Sequence, residues 1–143
     1  MRHIVFRVEK ERYALPLSSI REVVNPPSFF SRVPRAPKAV RGVMNLRGRV
    51  VTVVELSRLL GMEEEEPGAA QKIVLLDRGR RDIGLLVTDV EGIESIERIG
   101  PAPGQQLPAV KGLARLKGLA VTVMDPEGVD AAVVGLFTPN RST

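Results

Sequence analysis

Apolar and polar residues alternate over most of the chain, a pattern that predicts strands rather than helices. In the first 55 residues, the runs 4–8, 13–17, 20–24, 40–46 and 49–55 have the alternation or the valine content of short strands. Residues 9–12 form a polar turn after the first run. Arg47-Gly48 joins the last two runs as a hairpin turn in which glycine can supply a positive φ.

Other segments interrupt this pattern. Residues 25–38 contain four prolines and predict a long, stiff loop. Residues 56–60 have a short helical pattern that Gly61 would end. Pro16 is expected at a sheet edge or a bulge, because proline cannot donate a hydrogen bond to a ladder. Four consecutive glutamates followed by Pro67-Gly68 predict a solvated acidic linker.

The second half of the chain repeats the first at a constant offset of 70 residues. Residues 40–55 and 110–125 share seven identities in 16 positions. Upstream, the same offset aligns four apolar pairs: Leu15 with Leu85, Leu17 with Val87, Ile20 with Val90 and Val23 with Ile93. A constant offset over two separated blocks indicates two copies of one β-unit.

Each copy has about five short strands, and closing such a small sheet into a barrel removes its exposed edges. We therefore predict an all-β protein of two five-stranded barrels related by a pseudo-twofold axis, with a groove between them. The predicted boundaries are a first barrel over 1–62, an acidic linker over 63–71 and a second barrel over 72–143.

Composition excludes several kinds of site. The chain has no cysteine and a single histidine, His3, which excludes thiol nucleophiles, disulfides, zinc–thiolate sites and histidine triads. It has neither a phosphate-binding loop nor a serine nucleophile elbow, so we expect no enzyme and no cofactor. No apolar run is long enough to span a membrane, and the first strand leaves no room for a signal peptide. We expect a cytoplasmic protein.

Positive charge is concentrated in the first half, where residues 1–62 hold 12 Lys/Arg and 4 Asp/Glu. Six of these cations occur in 18 residues without an acid: Arg32, Arg35, Lys38, Arg41, Arg47 and Arg49. The cluster fits a solvated surface, an acidic protein partner or nucleic acid. Nucleic acid is the least favoured of the three, because the chain has 1 Tyr, 4 Phe and no Trp to stack on bases.

Several of these segments together resemble CheW-like domains. The most specific is Asn45-Leu46-Arg47-Gly48, which follows Gly42 at a fixed spacing. The resemblance covers about residues 4–125, and its motifs occur in order at 13–17, 20–23, 33–51 and 83–93. The chain departs from the family pattern at three positions: Thr52 replaces a proline, Glu55 replaces an aspartate, and Pro126 interrupts the place where a helix commonly begins.

The resemblance implies two SH3-like five-stranded barrels that couple chemoreceptors to a CheA-type histidine kinase in bacterial chemosensory arrays, without catalytic activity. It implies that one face of the first barrel pairs with the regulatory domain of the kinase. A hydrophobic groove between the barrels would take the helical cytoplasmic tip of the receptor. No nucleic acid and no membrane insertion are expected. The alternative is a specialised CheW-like protein that binds only the kinase or only the receptor in a gliding or pilus pathway.

The expected protein-binding residues are Ile20, Glu22, Val24, Gly42, Asn45, Arg47 and Gly48. By motif, the resemblance places interaction-sensitive positions at Ile20, Glu22, Gly42 and Arg47. The guanidinium of Arg47 could fork onto a carboxylate at an interface or bond loop carbonyls within the barrel. Asn45 is a stronger functional candidate than shared positions because the second copy has Arg115 there.

The apolar and glycine positions also leave alternatives open. In a regular strand, Ile20 and Val24 lie on one face and Val23 lies on the other. Both faces can pack in the core, or one of them can line a groove that holds an amphipathic helix. Gly42 and its repeat Gly112 mark either a bulge needed for closure or a close backbone approach. The pair Phe29-Phe30 is either an exposed anchor or a small core under the loop.

Overall fold

The computed structural model describes residues 1–62, 71–77, 81–102 and 107–137. Within these residues there are ten strands, two helices and one 3₁₀ turn at Leu17–Ser19. The strands are β1 (Arg2–Val8), β2 (Glu11–Pro16), β3 (Ile20–Val24), β4 (Val40–Leu46), β5 (Arg49–Glu55), β6 (Lys72–Leu76), β7 (Ile83–Val87), β8 (Asp89–Ser95), β9 (Val110–Leu116) and β10 (Leu119–Met124). The helices are α1 (Leu56–Leu59) and α2 (Pro126–Leu136).

The strands form two five-stranded sheets. Sheet A has the order β8-β1-β2-β10-β9, and sheet B has the order β3-β6-β7-β5-β4. Neighbours are antiparallel except for the parallel pairs β2·β10 and β5·β7. The all-β fold of two five-stranded units is therefore confirmed.

The strands are not divided between the sheets at the predicted linker. The hairpin β1–β2 pairs with β8 and β10, and the hairpin β6–β7 pairs with β3 and β5. Each sheet therefore takes strands from both halves of the chain, which differs from the predicted division into 1–62 and 72–143. The physical reason is that the two copies exchange their first hairpins. Residues 63–70 of the predicted linker lie outside the described residues.

The 70-residue repeat appears in three dimensions. Adding 70 to the residue numbers carries β3, β4 and β5 onto β8, β9 and β10, and carries β1 and β2 onto β6 and β7, with the sheet order preserved. The loops before the hairpins β4–β5 and β9–β10 pair with the free edges of β4 and β9. Ser31 bridges to Val43 in the first copy, and Gly100 bridges to Leu113 in the second. These bridges cover edges that would otherwise expose unpaired backbone groups.

The apolar residues separate into three clusters because successive side chains of a strand point to opposite faces. The largest cluster, the central core, lies between the sheets and includes the fully buried Phe6, Leu15, Leu56, Leu85 and Met124. A second cluster lies on the other face of sheet A and a third on the other face of sheet B. Fully burying one such large side chain contributes about 2 kcal/mol before entropy is counted.

Two prolines behave differently from expectation. Pro126 does not interrupt the second helix but begins it, and the Asp125 side chain accepts a hydrogen bond from the Glu127 N–H at 3.3 Å. The first turn of a helix tolerates proline, because its N–H would have no helical partner there. Pro16 is the last residue of an inner strand and lies beyond the β2·β10 pairing at Arg12–Ala14. No helix in the described residues is long and apolar enough to cross a membrane.

Candidate protein-interaction site

The hairpin between β4 and β5 ends in a tight turn built by three of the predicted site residues. Arg47 has φ = 50° and Gly48 has φ = 85°, the left-handed pair of a type I′ turn. The Gly48 N–H donates to the side-chain oxygen of Asn45 at 2.9 Å. Asn45 and Gly48 therefore shape the turn and hold Arg47 at its tip.

The turn brings Arg47 to Glu22, two candidate residues that lie 25 positions apart in sequence. The guanidinium of Arg47 donates to Glu22 Oε1 and joins the hairpin tip to edge strand β3. Of the two predicted roles, the structure gives the arginine a carboxylate partner, and this partner lies within the chain. An exposed pair of this kind contributes less than about 1 kcal/mol, so it can rearrange when a partner binds.

A second ion cluster lies beside this pair, centred on the carboxylate of Asp82, whose side chain is 18% exposed. Arg21 reaches this carboxylate at 3.1 Å and Arg49 at 2.6 Å. These side chains line a depression of about 200 Å³ together with Glu22 and Arg47. We call Arg21, Glu22, Arg47, Arg49 and Asp82 the sheet B rim.

Sequence reasoning missed Arg21 and Asp82 and named Arg49 only as a member of the cation cluster, although the repeat contained a signal for one of their contacts. Subtracting 70 from Glu91 gives Arg21, and adding 70 to Arg12 gives Asp82. Arg12 Nε donates to Glu91 Oε1 at 2.7 Å in sheet A. The same pair of positions therefore carries opposite charges in each copy, with the polarity reversed. Because both side chains of the pair change the sign of their charge between the two copies, the sequence contained evidence that these two positions are in contact.

Strand β3 does not place Ile20 and Val24 on one face, so that expectation was wrong. A bulge at Arg21 shifts the register between Ile20 and Glu22, and a bulge changes which face the following side chains take. Ile20 packs against the central core, whereas Val24 packs against the outer cluster of sheet B. Val23 lies opposite Val74, a residue of the central core, and so shares its face with Ile20.

Strand β8 repeats this arrangement with its own bulge. Val90 lies opposite Phe6 and Ile93 opposite Ile4, and both partners belong to the central core. Val23 is 36% exposed and Ile93 is 47% exposed. Ile20, Val23, Val90 and Ile93 thus form apolar edges bordering the same core, which we call the β3–β8 apolar face.

Gly42 is buried, and its role is to let the preceding loop pack closely against β4. A Cβ at this position would lie 2.6 Å from the Ser31 carbonyl oxygen and 2.8 Å from Phe30 Cβ, and its φ of 148° disfavours other residues. Gly112 has the same role in the second copy, where a Cβ would lie 2.1 Å from the Gly100 carbonyl oxygen. The glycine marks both a register shift and a close approach of the preceding loop.

The loop before β4 divides its two phenylalanines between the two predicted roles. Phe30 packs against the outer cluster of sheet B, and the guanidinium of Arg41 lies 4.9 Å from its ring centroid. Phe29 is 79% exposed. The loop is therefore anchored by one ring and presents the other.

The described residues contain no group of three or more His, Asp or Glu side chains that could hold a metal ion. Burial raises the pKa of Tyr13, whose hydroxyl donates to Glu11 at 2.9 Å. Burial also lowers the pKa of His3. Both groups lie away from the sheet B rim and have structural partners.

A family model described as the CheW-like domain matches residues 2–132. The chain belongs to the CheW-like domain family. A probable chemotaxis protein CheW of Rhizobium etli is 33% identical over 103 residues, which are 70% of this chain and 65% of that protein. Chemotaxis protein CheW of Rhizobium meliloti is 35% identical over the same shares of each chain. Protein PilI of Pseudomonas aeruginosa is 24% identical over 116 residues, 77% of this chain and 65% of that one.

A solved structure of the family agrees with the fold. The scaffolding protein TtCheW from Thermoanaerobacter tengcongensis matches with a TM-score of 0.78 and 24% identity, over 87% of this chain and 88% of that one. The present chain therefore has the CheW fold of two SH3-like units. The matched segment spans just under two thirds of the length of the two Rhizobium relatives.

Proposed function

We propose that this protein is a non-enzymatic cytoplasmic adaptor that couples chemoreceptors to a CheA-type histidine kinase in bacterial chemosensory signalling. Its work is complementarity rather than chemistry. Membership of the CheW-like family supports the adaptor role, and the names of two relatives connect that family with chemotaxis.

The observation that carries the proposal is that one edge strand serves two separate surfaces. The bulge at Arg21 lets β3 place Glu22 at the sheet B rim and Ile20 and Val23 on the β3–β8 apolar face. An adaptor must hold two partners at once, and β3 offers a polar surface and an apolar one on its opposite faces. Movement of this strand would connect the two.

The sheet B rim is the proposed kinase-binding surface. Its groups are charged, partly exposed and already arranged by mutual ion pairs, so little ordering is needed when a partner binds. The regulatory domain of the kinase is the proposed partner here. An interface of charged rim residues is expected to be modest in area and reversible.

The β3–β8 apolar face is the proposed receptor-binding surface. Two of its side chains, Val23 and Ile93, are exposed large hydrophobics on the edge strands β3 and β8, which both border the central core. An amphipathic helix can lay its apolar stripe on such a surface. The helical cytoplasmic tip of a chemoreceptor is the proposed occupant.

Calorimetric titration tests the proposal with each partner separately. The unmodified protein is expected to bind both the kinase regulatory domain and a receptor-tip fragment with micromolar dissociation constants. Ile93→Ser is expected to weaken only receptor binding, and Arg47→Ala only kinase binding. Binding to neither partner would reject the adaptor role.

A second candidate function is a specialised protein that binds only the kinase or only the receptor in a gliding or pilus pathway. The similarity to PilI is compatible with this alternative as well as with the first proposal. The same two titrations separate the candidates, because binding to both partners rejects the specialised form.

A further inference from the structure

A strongly positive loop is joined to strand β4 by the Ser31–Val43 bridge and is not used by the proposed contacts. Arg32, Arg35 and Lys38 are all exposed, and their side chains form no ion pair within the described part of the chain. Phe29 is exposed on the same loop. Residues 25–49 contain no acidic side chain.

The loop is held in place by its backbone. Ser31 and Val43 exchange two hydrogen bonds of 2.9 Å, and turns are closed by Ala36 N to Val33 O at 3.2 Å and by Val40 N to Pro37 O at 3.0 Å. The ring of Phe30 packs beneath the loop. Because the loop is already ordered, a partner would lose little free energy in fixing it.

The equivalent loop of the second copy lacks these features in the residues that the structure describes. Gly100 takes the place of Ser31, which puts Arg98 and Ile99 at the places of Phe29 and Phe30. Arg98 is adjacent to the acidic Glu97, and Ile99 packs against the outer cluster of sheet A. An exposed aromatic on a loop that also carries three exposed cations is therefore a property of the first copy and not of the fold.

We propose that Phe29, Arg32, Arg35 and Lys38, here named the basic loop, dock onto an acidic protein surface that offers an apolar socket for the phenylalanine. The inference rests on the proposed function, and the acidic surface would belong to the kinase regulatory domain. Arginine forks onto carboxylates, and a buried aromatic side chain supplies a central anchor.

The observations favour a protein over a nucleic acid or a membrane. A single-stranded nucleic acid needs successive stacking platforms, and the basic loop exposes one ring. An anionic bilayer surface attracts positive charge without requiring a fixed geometry of the cations. A loop that is held by backbone hydrogen bonds and carries one exposed ring and three exposed cations is better suited to a shaped protein surface.

The decisive experiment compares charge reversal in the two copies. The test variant combines Arg32→Glu with Lys38→Glu, and leaves Arg35 unchanged because its φ of 60° makes the backbone there sensitive to substitution. The control variant combines Lys111→Glu with Arg115→Glu, which changes the net charge equally on exposed positions of β9. Circular dichroism and thermal unfolding establish that both are folded.

The kinase regulatory domain is the probe, in calorimetry and stopped-flow association at two salt concentrations. We expect the test variant to weaken binding about tenfold at low salt, mainly through slower association, and the control to change it less than about twofold. Phe29→Ser is expected to accelerate dissociation about tenfold. Its control, Leu119→Ser, is an exposed hydrophobic of the second copy and is expected to have no effect.

The possible failures are distinguishable. Normal kinase binding by the test variant would overturn the inference and leave the proposed function standing. Equal weakening by test and control variants would also overturn it, because the effect would then be one of net charge. If the unmodified protein binds no kinase domain, both proposals fail together. Charge-dependent binding to a single-stranded oligonucleotide or to phosphatidylserine vesicles, with kinase binding unaffected, would replace the protein partner.

Discussion

The rims of the two sheets are the same structure with exchanged charges. In sheet B, Arg21 pairs with Asp82, and at the equivalent positions of sheet A, Glu91 pairs with Arg12. Arg21 and Glu91 both occupy a bulge, which turns the side chain toward the rim. Both copies therefore place opposite charges at this contact, and the side that carries the positive charge differs between them. The sign of the charge on each side of the pair can therefore differ between the copies to suit a binding partner.

The tips of the hairpins β4–β5 and β9–β10 also have equivalent cations, but the acidic partners of these cations are not equivalent. Lys117 takes the place of Arg47, with φ = 51° against 50°, and pairs with Glu94 at 3.5 Å. The acidic partner, however, has moved along the strand, since Glu94 is equivalent to Val24 and not to Glu22. A cation at the tip is common to both copies, whereas its partner is particular to each. The copies therefore differ at the hairpin tip, where the kinase contact is proposed.

The strongest test of what the copies share is Gly42→Ala, with Gly112→Ala as its repeat. Each methyl would meet a loop carbonyl oxygen, at 2.6 Å and 2.1 Å respectively. We expect each variant to lose about 3 kcal/mol or more of unfolding free energy in urea titration. Near-normal stability of either variant would show that the loop can move away.

The matched control is Gly92→Ala, which has a φ of 141° but open space around its Cβ. It separates backbone strain from steric contact, and we expect it to cost about 1 kcal/mol. A cost as large as that of Gly42→Ala would assign the effect to strain alone.

What the sequence predicts well is local or periodic. The hairpin turn and the positive φ of its glycine follow from Arg47-Gly48, and the period-two runs give nearly all the strand positions. The exchange of hairpins could not be predicted, because an apolar strand has the same pattern whichever sheet receives it. The faces of Ile20 and Val24 were mistaken because a single bulged residue shifts the period and has no signature of its own.

The candidate site was predicted in part for the same reason. Glu22 and Arg47 could be chosen one by one from motif resemblance, but their contact depends on the barrel bringing a hairpin tip to an edge strand. Gly42 was chosen as a binding residue, and its burial under the loop gives it a structural role. Protein binding by the candidate residues stays a prediction, and Arg47 and Glu22 are the two for which a direct contact with a partner is expected.

The difference between the hairpin tips is sharpened by comparing Arg47→Ala with Lys117→Ala. Both remove an exposed cation from the same turn position, so each is expected to change stability by less than about 0.5 kcal/mol. If the sheet B rim binds the kinase domain, only Arg47→Ala should weaken that binding, by about tenfold in calorimetry. Equal effects would mean that the two rims are not functionally distinct.

Freedom of polarity is tested by reversing one ion pair. Arg12→Asp or Glu91→Arg alone leaves like charges together in sheet A and is expected to cost about 1 kcal/mol. The double variant restores an opposite pair at these two positions and leaves Arg7, whose Nε lies 4.0 Å from Glu91 in the unmodified protein, as a like charge nearby. Its unfolding free energy in urea should return to within about 0.5 kcal/mol of the unmodified protein. A double variant no better than the singles would contradict the idea that sign is free.

The smallest expected effect concerns His3, whose repeat counterpart is Ile73 in the outer cluster of sheet B. His3 is 1% exposed, and its Nδ1 lies 3.1 Å from the Met1 carbonyl oxygen. Burial lowers the pKa of its imidazole in the folded protein, and the positive N-terminus and Lys111 act in the same direction, whereas the Met1 carbonyl and Glu97 oppose them. The folded state therefore binds protons less readily than the unfolded state.

The sign follows from linkage: the stability that neutral His3 provides is complete above pH 6.5 and is lost as the pH falls through the lower pKa of the folded state. His3→Ile makes sheet A resemble sheet B at this position and removes the titrating group. We expect its unfolding free energy, measured in urea between pH 7.5 and about 5.5, to vary less than that of the unmodified protein. Above pH 7.5 the difference in unfolding free energy between the two proteins reports packing alone. If the change of unfolding free energy with pH is the same after the substitution, other groups cause it, and the buried imidazole contributes no more to it than the isoleucine.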